Sequence, residues 1–431
     1  MQRIVYISVL FSLLFCTTFG AHAQKMDKII SRKEVTLVEQ TLSSDAMEGR
    51  AVFTPSIDRA ADFIAARFKA AGLQPWKGSD YFQPFSMQHV TQDMVQVSLG
   101  GVTIPSSQVA IQTSKQSLDW TSSDSLQIVT VDKEHNLGMI MQLYRKGTQD
   151  MLILLDSANA GRISRYANGL ADHFPITHSL VMVVYSGQPT AISIHAHSQI
   201  TEKPLKNVVG ILPGKSRPDE YVIFSAHYDH LGIGKPNAQG DSIYNGANDD
   251  ASGTTAVLML AKYFASRHDN ERTIVFAAFT AEEIGEYGSQ YFGKGWNADQ
   301  VAAMFNIEMI GTTSKWGTNS AYITGYERSD FGKILQRNLT GTPFQFYPDP
   351  YTTQNLFYRS DNASLARLGV PAHTISTSKM DNEPYYHQLG DEISTLDMDN
   401  MTQIIRSIAL SSGTIISGQD TPSRVDTSAL R

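Results

Sequence analysis

From Asn207 onward the chain carries a succession of continuous apolar runs: VVGILP, YVIFSAH, TIVFAAF, AMFNIEMI, AYITG and PAHTIS. Each is short enough for a strand and apolar on both faces, so the sheet they build must be covered by helices on both sides. Stretches of helical spacing at 251–266 and 403–415 alternate with these runs, which predicts an α/β layered fold with a mixed, mostly parallel central sheet. In such sheets, sites assemble at the carboxyl ends of strands. The polar clusters of this half of the chain fall there. His227 and Asp229 follow YVIFSA, and Asp249 and Asp250 lie in the turn YNGANDDASG before an apolar helix. Glu282 and Glu283 sit in AEE, Glu308 in NIE, and Tyr386 and His387 in YYH.

The 431 residues, 42% hydrophobic and 18% charged, have ordinary globular composition and room for one large domain or two moderate ones. Residues 1–23 read as a secretory signal peptide: Arg3, an apolar run over 4–19, and Ala21-His22-Ala23 as a small-x-small cleavage site. The run is shorter than the ~20 residues of a spanning helix, so cleavage near Gln24 and no stable membrane insertion are expected. The mature protein is then exported, periplasmic or extracellular. Lipidation at Cys16 is disfavoured by the bulky Phe15 beside it. Cys16 is the only cysteine, so a cleaved chain holds itself together without disulfides. Cleavage removes Arg3 and no acid, taking the formal charge from -7 to -8, and no basic run suggests a nucleic-acid partner.

Residues 24–86 form the first part of the main domain. A helix is expected around 33–42, and a clearer one over 57–71, with Ser56 at its start and Gly72 at its end. The MEGR of 47–50 lies in the loop between them and suggests no chemistry. Residues 87–205 read as an inserted, mainly β, lid-like region, with short alternating runs separated by Ser, Gly, Asp and Asn. Its histidines are scattered; only His195 and His197 share a strand face, a weak hint of metal binding. Residues 206–431 complete the main domain.

The chemistry is in the polar clusters. Imidazole suits zinc, so His227 is a candidate ligand, with His230 a rival and Asp229 placed to orient the ring. Two consecutive glutamates suggest divided labour, Glu283 on metal and Glu282 as general base, although acids at a helix start also serve its dipole. The full set decides: His227, Asp249, Glu283, Glu308 and His387 give three carboxylates and two imidazoles, with Asp249 bridging two ions. Two Zn2+ and a bridging hydroxide bring this set near neutrality. With no thiolate, structural Cys zinc sites and Fe–S clusters are excluded.

These blocks, HYDH, GANDDASG, AEEIG, NIEMIG, SDNASLARLGVPA and YYHQLGD, resemble the zinc-dependent aminopeptidases and glutamate carboxypeptidase-like enzymes of clan MH, in order and over roughly 24–417. The resemblance implies the zinc exopeptidase fold and two Zn2+ per chain. It puts His227 and Glu308 on one ion, Glu283 and His387 on the other, and Asp249 on both. It also implies Glu282 as base, Asp229 and Asp250 as supports outside the ligand set, a cis Asp249–Asp250 peptide, and Tyr386 beside the reacting carbonyl. Two positions depart from the family: Glu308 stands where Asp is commoner, and Asn362 where many relatives have His.

The implied reaction is hydrolysis of N-terminal residues from peptides with a free N-terminus, by an aminopeptidase or dipeptidase. Three alternatives share the fold. A glutaminyl cyclase uses one zinc and has no need of His227. A carboxypeptidase would need a basic pocket, for which Arg359 is the candidate. A receptor-like binding protein would have lost ligands or base. The N-terminal residue preferred and the oligomeric state are not written in these motifs.

Overall fold

The computed structural model describes residues 25–131 and 137–429, so the expected signal peptide and Cys16 lie outside the described residues. The chain divides into two compact units: Lys206–Arg431 together with the chain up to Pro84, and Phe85–Leu205.

The first unit starts with two helices. In α1 (Arg32–Leu42), the Ser31 side chain accepts from Glu34 N. Helix α2 (Pro55–Ala71) begins earlier than expected from Ser56, because the fixed φ of Pro55 suits the first helical position; Ser56 is buried inside the helix. Gly72, at φ 82°, ends it in the left-handed conformation.

The strands that follow are β1 (Ile192–Leu212), whose last residues belong to this unit, β2 (Arg217–His227), β3 (Arg272–Phe279), β4 (Val301–Ile307), β5 (Ser320–Ile323), β6 (Gln345–Pro348) and β7 (Ala372–Ser376). Their spatial order is β6-β5-β7-β4-β2-β3-β1. The centre, β7-β4-β2-β3, is parallel; β1 runs antiparallel to β3, and β5 to β7. Helix α3 (Ser252–Arg267) crosses from β2 to β3, and every residue over 252–265 except Lys262 is buried. Phe224 of β2 stacks between Phe276 and Phe305, 5.8 and 4.8 Å away, and on Phe264 of α3 at 5.6 Å. The opposite face, with Ile223, Val275 and Met304, packs on Phe292 and Leu365. Helices α4 (Phe331–Asn338) and α5 (Met398–Ser411) add to the α3 side. Both faces are thus dry, as the apolar runs require.

The second unit holds a four-stranded sheet in the order Val109–Gln112, Leu180–Val184, Met151–Leu155, Gln127–Val131, the last three parallel. It also carries two helices that the sequence reading did not expect, Leu137–Lys146 and Ile163–Gly169. The first of these buries only Ile140 and Tyr144, too sparse an i, i+4 pattern to announce a helix. Its boundary falls at Phe85, two residues before 87. Among the described residues no helix is long and apolar enough to cross a membrane.

Candidate metal centre

Parallel register carries the polar clusters to one edge of the first unit's sheet. His227, the last residue of β2, pairs with Phe279 of β3, and Ser225 pairs with Asn306 of β4, so the chain just past Phe279 and Asn306 lies level with His227. Glu282, Glu283 and Glu308 are those next residues. Asp249 and Asp250 arrive from the turn before α3, joined by a cis peptide bond.

That turn is fixed by its neighbours. Asp250 turns inward, where Oδ1 accepts from Gly253 N and Met309 N, both at 3.0 Å, and Oδ2 from His227 N at 3.3 Å. Gly253 has to lack a side chain, because a Cβ would lie 2.1 Å from Ile307 O and 2.5 Å from both Asp250 oxygens. Asp391 holds the other side, accepting from Asn248 N at 2.8 Å and Asp249 N at 3.0 Å. Beneath them Arg50 of the MEGR loop is fully buried. Its guanidinium donates to the carbonyls of Leu42, Tyr228, Asn245 and Gly246 at 2.6–2.9 Å, and of Asp249 at 3.4 Å.

With its backbone held, Asp249 presents its two oxygens to opposite groups. Oδ1 lies 3.2 Å from His227 Nε2, which is 3.3 Å from Glu308 Oε1. Oδ2 lies 3.3 Å from His387 Nε2, which is 3.0 Å from Glu283 Oε2. Tetrahedral zinc with bonds of about 2.0–2.1 Å has ligand–ligand edges of roughly 3.3 Å. All four N–O separations fall near that edge. Asp249 Oδ2 is also buried without a hydrogen-bond partner among the described residues, a cost that a cation would remove. The nitrogen and carboxylate donor set suits zinc. Two triads bring one ligand atom each within 4.8 Å of one another, His227–Asp250–Glu308 and His230–Asp249–Glu283, and in the first of them backbone N–H groups already hold Asp250.

Crowded buried carboxylates shape the electrostatics. Burial pushes Glu282 well above the carboxylate range, opposed by His227 and reinforced by Glu308. Burial would raise Asp249 too, but the imidazoles of His227 and His387 beside it outweigh burial and hold the group below its ordinary range. The carboxylates of Asp249 and Glu283 beside it take His387 up to about 10. Positive charge is what this cluster calls for.

Beside the cluster opens a solvent-connected cavity. Asp249, Glu282, Glu308 and His387 form its polar wall, and Met309, Tyr322, Leu356 and Met380 its apolar one. Tyr386 stacks on His387, 3.9 Å between ring centres, and lines the cavity with Arg359.

The structure therefore brings His227, Asp249, Glu282, Glu283, Glu308, Tyr386 and His387 to one place. Asp229 does its holding differently from the sequence expectation. Its backbone carbonyl accepts from His227 Nδ1 at 3.1 Å, whereas its carboxylate stands 3.7 Å from that nitrogen and accepts from Glu282 N and Glu283 N. Asn362 braces the scaffold, donating to Phe357 O and Ala372 O. Sequence reasoning missed Arg50, Ser360 and Asp391. The one available signal was that Ser360 and Asp391 lie inside the blocks SDN and YYHQLGD or at their edge. In the second unit His195 and His197 lean on different partners, Asp119 and Asp93, each at 2.8 Å.

A helix-covered α/β sheet with two nitrogen–carboxylate groups sharing one aspartate at its carboxyl edge defines the class: a protein of the zinc exopeptidase fold. Residues 207–411 match the model of Peptidase family M28. Among solved structures, the aminopeptidase from Aneurinibacillus sp. strain AM-1 superposes with a TM-score of 0.54 at 17% identity, covering 94% of this chain and 98% of that one. A zinc aminopeptidase from Bacillus subtilis gives 0.53 at 17% identity, covering 90% and 96%. By sequence, a leucine aminopeptidase 1 of Paracoccidioides brasiliensis is 29% identical over 214 residues, 46% of this chain and 52% of the relative. A probable zinc metalloprotease of Pyrenophora teres f. teres is 39% identical over 111 residues, 25% and 23%. The chain thus spans between about a quarter and a half of the curated relatives it matches.

Proposed function

We propose that this chain is an exported zinc aminopeptidase that holds two zinc ions and removes N-terminal residues from peptides. The observation that carries the reading is the pair of matched groups on either side of Asp249, with N–O separations of 3.0–3.3 Å. His227 and Glu308 would hold one ion, His387 and Glu283 the other, and Asp249 both. Bound there, zinc supplies Lewis acidity toward a peptide carbonyl and lowers the pKa of water toward ~7.

The remaining work belongs to the protein. Glu282 lines the cavity, 3.9 Å from His227 Nε2, placed to take a proton from the attacking water and return it to the leaving amine. Tyr386 lines the same cavity, and its hydroxyl would donate to the carbonyl oxygen as charge develops there. Glu282 and Glu308 give the same cavity a negative end, complementary to a substrate ammonium group, and the apolar wall gives room for its side chain. The aminopeptidases named above support the direction of attack, and residues 1–23 support export.

The test is to assay the mature protein on aminoacyl-anilides and dipeptides, with zinc content measured, beside Glu282→Gln. The expected result is two zinc ions in both proteins and activity in the wild type alone, a fall of about 10²-fold or more in the variant. Equal turnover by both removes Glu282 from the mechanism. A single bound zinc favours a cyclase, and N-terminal sequencing of the secreted protein checks cleavage near Gln24.

A further inference from the structure

The two groups around Asp249 are braced by different donors, and the brace of the second is a histidine with no role so far. The His230 side chain is fully buried, with Nδ1 2.7 Å from Glu283 Oε1 and 4.0 Å from Asp249 Oδ2. Its ring packs edge-on to His387, 5.9 Å between centres at 68°. One imidazole therefore faces Glu283, Asp249 and His387 together, which allows two roles: a further ligand, or a donor that fixes Glu283.

The distance separates them. A separation of 2.7 Å is a normal charge-assisted N–H···O hydrogen bond. It is well under the roughly 3.3 Å edge between two ligands of one zinc, which the four other N–O pairs approach. We infer that His230 is a positioning residue for the second cation: its Nδ1–H donates to Glu283 Oε1 and leaves Oε2, 3.0 Å from His387 Nε2, as the oxygen offered to metal. This rests on the two-zinc reading above.

The first group shows the same device with another donor. Ser360 Oγ donates to Glu308 Oε2 at 2.8 Å, leaving Oε1 turned to His227 at 3.3 Å. Each outer carboxylate thus has one oxygen occupied by the protein and one facing an imidazole. His230 Nε2 has no hydrogen-bond partner among the described residues, so the Nδ1 bond and packing alone set the ring. Gly246 makes room for it: a Cβ there would lie 2.5 Å from His230 Cδ2 and 2.6 Å from Cγ.

The experiment compares wild type, His230→Leu, which keeps bulk and loses the donor, and His230→Asn, whose amide N–H stands near the Nδ1 position. Zinc affinity and stoichiometry are measured against a competing chelator, with kcat and KM alongside. In His230→Leu one zinc should stay as tightly held as in wild type and the other weaken about 10–100-fold, with kcat falling more than KM rises. His230→Asn should recover most of that affinity. Wild type holding two zinc ions while His230→Leu matches it, or loses both together, overturns this inference alone. A zinc-loaded structure with Nδ1 at bonding distance from the metal, about 2.0–2.1 Å, makes His230 a ligand and also overturns it. A wild type that binds one zinc overturns the two-zinc reading and this inference with it.

Discussion

Ser360 and Arg50 act on the cluster without belonging to it. Ser360 Oγ donates to Glu308 and accepts from Asn306 Nδ2 at 2.7 Å, and Asn306 in turn accepts from Ser225 Oγ at 2.8 Å, so a relay of neutral groups steadies a carboxylate one methylene longer than the family's usual Asp. A hydrogen bond to a charged group contributes about 1.5–3 kcal/mol. Ser360→Ala should therefore weaken zinc binding about tenfold or more in chelator competition. Arg50 is different, because its donors satisfy five buried carbonyls and its charge faces Glu39, Asp391, Asp249 and Asp229. Arg50→Met removes those donors and the buried charge, and the expected loss is about 3 kcal/mol or more of unfolding free energy, read by urea denaturation.

Among the elements, α1 and α3 meet at a buried acid. Glu39 of α1 accepts from Thr255 Oγ1 of α3 at 2.8 Å, and burial pushes its carboxyl up to about 8 from the ordinary 4.5. The folded state therefore prefers the neutral form and binds more protons than the unfolded chain between those values. This contribution to stability is full below pH 4.5, declines as pH rises toward 8, and is flat beyond. Glu39→Gln removes the decline, so the variant should gain on the wild type by up to about 1.4 kcal/mol per pH unit across that window. Thermal melts of both proteins at pH 5, 6.5 and 8 check it; a constant difference would show that Glu39 does not titrate there.

At the scale of the whole molecule, every member of the cluster comes from the first unit, from segments spread along the chain between His227 and His387. A ligand that binds the folded state alone raises its stability, so zinc should raise Tm and a chelator lower it, the shift growing with free zinc concentration. The second unit's histidines are tied to their own aspartates. His195→Ala with His197→Ala should leave zinc stoichiometry unchanged, as metal analysis of the purified variant would show.

The periodicity of the apolar runs after Asn207 was enough to demand a sheet dry on both faces, since no other arrangement buries VVGIL, YVIFSA and TIVFAAF together. The motif blocks, read with their resemblance, named the cluster, because chemistry at strand ends leaves its residue types next to apolar runs. What those signals lack is direction. That Arg50 is a buried brace, that Asp229 holds His227 through its carbonyl, and that Ser360 and His230 each occupy one oxygen of a carboxylate depend on contacts between segments distant in the chain. Such contacts exist only after folding, when exclusion of water makes an unsatisfied carbonyl or an unpaired charge costly enough to dictate which donor meets which acceptor.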